Sequence, residues 1–162
     1  MTVDVALAML QRDGHWLMQL RDEIPSIVAP GCWGLFGGHL DPGETPEQGL
    51  RRELLEEISW QPSVLELVMV HHIHRRTAHV FQAELTVPVE QLQLLEGQDM
   101  ALVSAEELLA GSIWSSQLKT HRPLADGLLE VMQHVLGFNS TNGRGSLNAP
   151  PQDDAVIIQQ AT

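Results

Sequence analysis

Hydrophobic and polar positions along this chain switch between a period of two and a period near 3.6, and the switches mark out its elements. Val3 to Leu10 (VDVALAML) is apolar almost throughout, as a strand covered on both faces would be. Gln11 to Gly14 is turn chemistry, and His15 to Arg21 (HWLMQLR) returns as the second strand of a hairpin. Residues 22 to 32, with Pro25, Pro30 and Gly31, form a loop leading to a short strand, Trp33 to Phe36, that ends at the pair Gly37-Gly38. Thr45, Pro46 and Gln48 then spell a helix start: an N-cap, a proline at the first position and the partner of a capping box. Leu50, Leu54 and Ile58 recur at helical spacing and face the core, which turns the glutamates of the same helix away from it, toward the loop. Gln61 and Pro62 end the helix.

Val64 to His74 and Ala78 to Val87 are two further strands, Glu96 to Asp99 a loop, and Met100 to Val103 a short strand. Ser104, with Glu107 three residues on, starts a short helix closed by Gly111. Arg122 to Leu136 has helical periodicity through Leu124, Leu128, Val131 and Val135. From Phe138 the composition shifts to Asn, Ser, Gly and Pro. The pattern therefore divides the chain into a folded domain, residues 1–137, and a flexible C-terminal tail, residues 138–162, in which VIIQQ is the stretch able to dock as a strand. Strands alternating with helices predict an α/β domain.

At 162 residues the chain has the length of one domain, and 43% hydrophobic residues supply a core. A net charge of -12 excludes a general binder of nucleic-acid polymer, which needs a basic surface. The one cysteine, Cys32, leaves no internal disulfide and fits a reducing cytoplasm. No apolar run approaches a membrane span, and Asp4, Arg12 and Asp13 break the N-terminal run before it can serve as a signal peptide. The expected setting is cytoplasmic, with small-molecule partners and no membrane.

Glu53, Glu56 and Glu57 stand at i, i+3 and i+4, on one helical face. Like charges at that spacing repel, so three glutamates alone are an ordinary solvated face. A hard cation among their oxygens reverses the repulsion, and carboxylates are what Mg²⁺ takes. The preceding loop favours the cation. Gly38, Glu44, Arg52, Glu53, Leu54, Glu56 and Glu57 follow one long spacing, G-x5-E-x7-R-E-U-x-E-E with U bulky and apolar. This resembles the signature of the Nudix hydrolase family. Ser59 stands where the family has glycine, Trp60 where it has a bulky aliphatic residue, and Phe36 where proline usually precedes the glycine pair.

The resemblance implies an α/β/α sandwich, with a mixed β-sheet between helices. It also implies metal-dependent hydrolysis of the diphosphate linkage in a nucleoside diphosphate linked to some group X, with Mg²⁺, or Mn²⁺ as a substitute. Glu53, Glu56 and Glu57 would be metal ligands, with the Gly38 carbonyl as a further one, and Glu56 or Glu53 would activate the water. Arg52 would orient a glutamate through a charge-assisted hydrogen bond, against the plainer alternative of a surface pair with Glu56. Glu44 would brace the loop or ligate metal through water. The segment EGQDMALVSAEELLA resembles the stretch that carries a further metal-binding or base glutamate in MutT-type members, and Glu96 matches it, against the alternative of an ordinary loop acid.

The resemblance also narrows the substrate. The chain has no tyrosine, so the downstream tyrosine of dinucleoside-polyphosphate members is absent. The proline of ADP-ribose enzymes, the string of NADH enzymes and the coenzyme A signature are missing too. The nearest type is a MutT-like hydrolase giving monophosphate and pyrophosphate from a (deoxy)nucleoside triphosphate. The alternatives are an ADP-ribose or sugar-nucleotide pyrophosphatase, a non-catalytic nucleotide sensor, and an isopentenyl-diphosphate isomerase relative built on Cys32. Arg21, Gly37 and His121 are the substrate-binding candidates, His121 because THRPLA puts it near the place of an asparagine that 8-oxoguanine enzymes carry at the start of the final helix. For His121 a surface cap is the plainer alternative, and for Trp33, which could stack on a base, a place in the core. Of His71, His72 and His74, the last two would share a strand face but have no Cys or third ligand placed with them for zinc; they read as exposed strand histidines or, with Arg75 and Arg76, which could meet terminal phosphates, as the rim of a substrate cleft. Family members often dimerise, so a homodimer is compatible.

Overall fold

The apolar first strand lies inside the sheet because both of its faces are covered. In a computed structural model of the protein, residues 2–137 and 158–159 are described. The elements run β1 (Val3–Arg12), β2 (His15–Leu20), β3 (Trp33–Gly34), β4 (Phe36–His39), α1 (Pro46–Ile58), β5 (Glu66–Ile73) and β6 (Arg76–Glu84). After a single 3-10 turn at Val89–Gln91 come β7 (Asp99–Val103), α2 (Ala105–Ala110), β8 (Ser112–Ser115), β9 (Thr120–Pro123), α3 (Leu128–Leu136) and β10 (Ile158–Gln159). The main sheet has the order β10-β5-β6-β1-β2-β3, with β4 beside the first half of β1 and β7 beside β2. β1 and β6 are parallel from Val3↔Arg76 to Gln11↔Glu84, and the other pairings are antiparallel, so the sheet is mixed.

Side chains alternate between the two faces, as the pleat requires. Ala6 and Leu17 pack with Leu50, Leu54 and Ile58 of α1 on one face. Met9 and Met18 pack with Trp33, Val131 and Met132 on the other, under α3. The result is the expected α/β/α sandwich. Thr45 caps α1 by accepting from Gln48 N while Gln48 bonds back to Thr45 N, so the capping box is present.

Three expectations need correction. β4 runs through Gly37 and Gly38 to His39 instead of ending at the pair, because these residues bond along β1 at Leu7 and Ala6. The final helix begins at Leu128, not Arg122: residues 112–123 form the β8–β9 hairpin, and Leu124 bridges to Trp33 in extended backbone, so its apolar spacing is coincident with the helix and outside it. The glutamate face of α1 does not point wholly away from the core, since Glu57 is 2% exposed. Of the expected tail, residues 138–157 and 160–162 lie outside the described residues, while Ile158 and Gln159 of VIIQQ pair with His71 and Val70 of β5. Among the described residues no helix is long and apolar enough to cross a membrane.

Candidate active site

Two glycines bring the α1 glutamates against the sheet. Gly37 has φ 137°, and a Cβ there would land on the Ala6 carbonyl, so only glycine fits. Its N–H donates to Glu57 Oε1 at 2.9 Å, which draws that carboxylate inward between α1 and β4. A Cβ on Gly38 would lie 2.8 Å from Glu53 Cδ, so the second glycine leaves room for a second carboxylate. Burial pushes the Glu57 pKa up to about 8, and the nearby charges of Glu53 and Glu96 add to the rise against the Gly37 hydrogen bond. Glu53 is raised for the same first reason, with Arg52 pulling the other way.

Arg52 ties the loop to the helix. Its Nε and Nη2 donate to the two oxygens of Glu44 at 2.9 and 3.0 Å, Nη1 to Glu53 Oε1 at 3.0 Å, and Nη2 to the His39 carbonyl at 3.0 Å. Its contact with Glu56 is longer, 3.4 Å. Glu44 also accepts from Asp41 N at 2.6 Å, and both bonds hold its carboxyl below the usual range, Arg52 first. Glu96 arrives on a separate loop that is fixed at both ends: Leu95 N donates to Glu57 O at 2.8 Å, and Gln19 Nε2 to Glu96 O at 2.8 Å. Gly97 closes that turn at φ 97°, where a Cβ would strike Gln19 and the Leu20 carbonyl.

A cavity of about 580 Å³ opens beside these groups. Glu57, Glu96, Gly37 and Gly38 line one end. Val5, Leu7 and Ala78 form an apolar floor, with Leu128 and Val131 of α3 above it and the loop from Ile24 to Ala29 at the side. Arg21 lines the cavity between, donating to Val28 O at 2.6 Å and lying close enough to lower the Glu57 pKa slightly.

A NUDIX domain model matches residues 1–123. The chain belongs to the Nudix family. This Nudix domain is 31% identical to the CTP pyrophosphohydrolase of Escherichia coli (strain K12) over 109 residues, 66% of this chain and 79% of that protein. It is 38% identical to the nucleoside triphosphatase NudI of Escherichia coli over a shorter stretch of 64 residues, 39% of this chain and 44% of that protein. In structure it is similar to the E. coli ORF135 protein, with a TM-score of 0.60, 27% identity, and coverage of 87% of this chain and 95% of that one. It is thus a Nudix hydrolase, an enzyme acting on a nucleoside diphosphate linked to a group X.

The Nudix motif brings Glu44, Arg52, Glu53, Glu56, Glu57, Gly37 and Gly38 together, with Glu96 beside them and Arg21 on the cavity wall. His121 is not part of this group. It lies on β9, its ring edge-on to Trp114 at 5.2 Å, because the hairpin precedes the helix it was expected to start. Trp33 is fully buried and donates to Ile113 O at 3.1 Å, a core residue. Cys32 bonds to Pro30 O and does not line the cavity. The three histidines separate: His72 meets Thr77 Oγ1 at 3.0 Å, His74 turns the β5–β6 connection at φ 51°, and His71 lines the cavity. Asp126, just ahead of the Gly127 N-cap of α3, also lines it and was not anticipated, since the helix was expected to begin at Arg122, six residues before Leu128.

Nudix hydrolases use a divalent metal ion, and the donor set suits one. It is all oxygen, it includes a buried carboxylate with one hydrogen bond, and its members raise one another's pKa. Among the described residues no three acidic or imidazole groups stand together as a finished cage, since Glu53 is turned to Arg52 and Glu57 to Gly37 N.

Proposed function

We propose that this Nudix hydrolase cleaves a (deoxy)nucleoside triphosphate to monophosphate and pyrophosphate, in the cytoplasm, with Mg²⁺ or, as a substitute, Mn²⁺. The observation that carries the proposal is the cavity itself: Glu57 and Glu96 line it together with the apolar side chains of Val5, Leu7, Ala78, Leu128 and Val131 and the cations Arg21 and Arg76, and its volume of about 580 Å³ is that of a small-molecule site. The triphosphate substrate named for the E. coli CTP pyrophosphohydrolase supports the same class.

Glu53, Glu56 and Glu57, with Glu96 and the Gly38 carbonyl, are the groups to hold the cation. When bound, it neutralises phosphate charge and lowers the pKa of water. Glu53 is the favoured acceptor of the water's proton: burial keeps its pKa above the ordinary carboxylate value, and Arg52 fixes the direction of its carboxyl group. Arg21, which lines the cavity, is the side chain to meet the substrate, and Glu44 braces the loop through Asp41 and Arg52.

The test is a panel of triphosphates, ADP-ribose and sugar nucleotides with Mg²⁺, comparing the wild type with Glu53→Gln. Pyrophosphate release from triphosphates that disappears in the variant is the expected result. Turnover of ADP-ribose alone would overturn the substrate class. Binding without turnover of any nucleotide would leave only a sensor.

A further inference from the structure

The far end of the cavity holds two polar groups that neither the core nor the acidic end employs. His71 is 4% exposed, and its Nε2 is buried with no hydrogen-bond partner among the described residues. A buried polar atom left unpaired is costly, and the few that natural structures keep call for a specific explanation, a functional role or a bound partner among them. Burial also holds this imidazole toward its neutral form, in which Nε2 donates or accepts according to tautomer. Arg76 lines the same end, two residues before Ala78, the cross-strand partner of His71. It is open to solvent on one side and desolvated on the other, and Arg21 adds like charge, so its pKa is pushed down. No carboxylate or carbonyl among the described residues engages its guanidinium.

Between these groups and the acidic end lies the floor of Val5, Leu7 and Ala78, roofed by Leu128 and Val131. Register places Val5 beside Ala78 and Ala78 beside His71, so His71 closes the slot two strands from β1. A flat ring in such a slot turns one edge toward His71 and Arg76.

We infer that His71 and Arg76 read that edge, and that they select nucleobases presenting an exocyclic carbonyl beside an unprotonated ring nitrogen. A guanidinium fork needs two adjacent acceptors. Cytosine offers O2 with N3 and guanine O6 with N7, whereas adenine has no carbonyl and uracil carries a hydrogen on the nitrogen between its carbonyls. His71 Nε2 supplies the third hydrogen bond, to the group that flanks the pair. The inference rests on the nucleotide substrate proposed above.

Two measurements test it separately from catalysis. Binding of CMP, GMP, AMP and UMP is followed by calorimetry without divalent metal, and kcat/KM for the four triphosphates is measured with Mg²⁺, in wild type, His71→Leu and Arg76→Met. Wild type should favour the cytosine and guanine nucleotides by about ten-fold or more, the usual value of a good bidentate contact. Each variant should flatten that ranking, and His71→Leu should melt no lower than wild type, because it removes an unpaired buried atom. A merely structural His71 would lower the melting temperature and leave the ranking intact, which overturns the inference. So does equal treatment of all four bases, with triphosphate hydrolysis left standing. Ranked monophosphate binding without triphosphate cleavage keeps the base reader and removes the hydrolysis proposal.

Discussion

Glu57 decides how the site responds to pH and to metal. Its folded-state pKa of about 8 lies above the ordinary value of 4.5, so the folded chain binds that proton more tightly than the unfolded chain does. The resulting stability is present in full below the unfolded pKa and is lost as pH climbs through the folded one. The metal-free protein should therefore lose melting temperature between about pH 5 and pH 8, and Glu57→Gln, which cannot ionise, should lose less. A divalent cation binds the ionised form, so the gain in melting temperature on adding Mg²⁺ should grow over the same range. Parallel pH profiles for the two proteins would refute this account. In activity, Glu57→Gln should cost roughly 10²-fold, the scale of several kcal/mol of metal-borne charge stabilisation. Ser59 is the other informative residue. It replaces the motif's glycine and caps α1 with φ 55° and ψ 32°, a left-handed conformation that costs an L-residue about 1–2 kcal/mol. Ser59→Gly should raise stability by about 0.5–1 kcal/mol in a denaturant melt, without touching the glutamates. Motif spacing exposed the identity of these residues. It could not expose that Glu57 is buried, because that follows from the Gly37 N–H, supplied by a strand twenty residues upstream.

Among elements, the legible ones are those whose signals are local. Both capping boxes, Thr45 with Gln48 and Ser104 with Glu107, are satisfied three residues apart and need no tertiary partner. The β8–β9 hairpin was illegible because its strands are four residues each, its turn lacks glycine, and it is held from afar: Asp99 Oδ2 accepts from Ser115 Oγ at 2.7 Å and from Gln117 N at 3.3 Å. His121 was misplaced for that reason alone. The α1 helix and its loop are one unit through Arg52, which reaches Glu44, Glu53 and the His39 carbonyl together. Lysine has one point charge where this site uses a planar fork. Arg52→Lys should lower kcat by roughly 10–100-fold, the usual cost of releasing a ligand from its orienting partner, with a small change in melting temperature. A large fall in stability with kcat intact would show Arg52 to be only a brace.

For the whole molecule, the two core clusters, one under α1 and one under α3, draw among the described residues on positions up to Leu136. A chain ending at Gly137 should keep its hydrolytic activity and lose little stability, since β10 contributes only two paired residues to the edge of β5. Loss of turnover on truncation would place residues 138–162 within the functional domain. The layers and the mixed sheet were readable from the alternation of elements together with the motif; the order of strands was not, because pairing partners distant in sequence leave no local trace.

The central β1–β6 pairing also sets a schedule for folding. Each of its partners is 73 positions from the other, so a ribosome must deliver residue 84 before the ladder can close. Until then VDVALAML is an apolar strand with one open side, paired on the other only by β4 and the hairpin with β2. Loop closure across that distance slows the search, and the exposed edge invites pairing between nascent chains. Overproduction and warmth, which outrun closure, should drive this protein into inclusion bodies sooner than its folded stability alone would suggest.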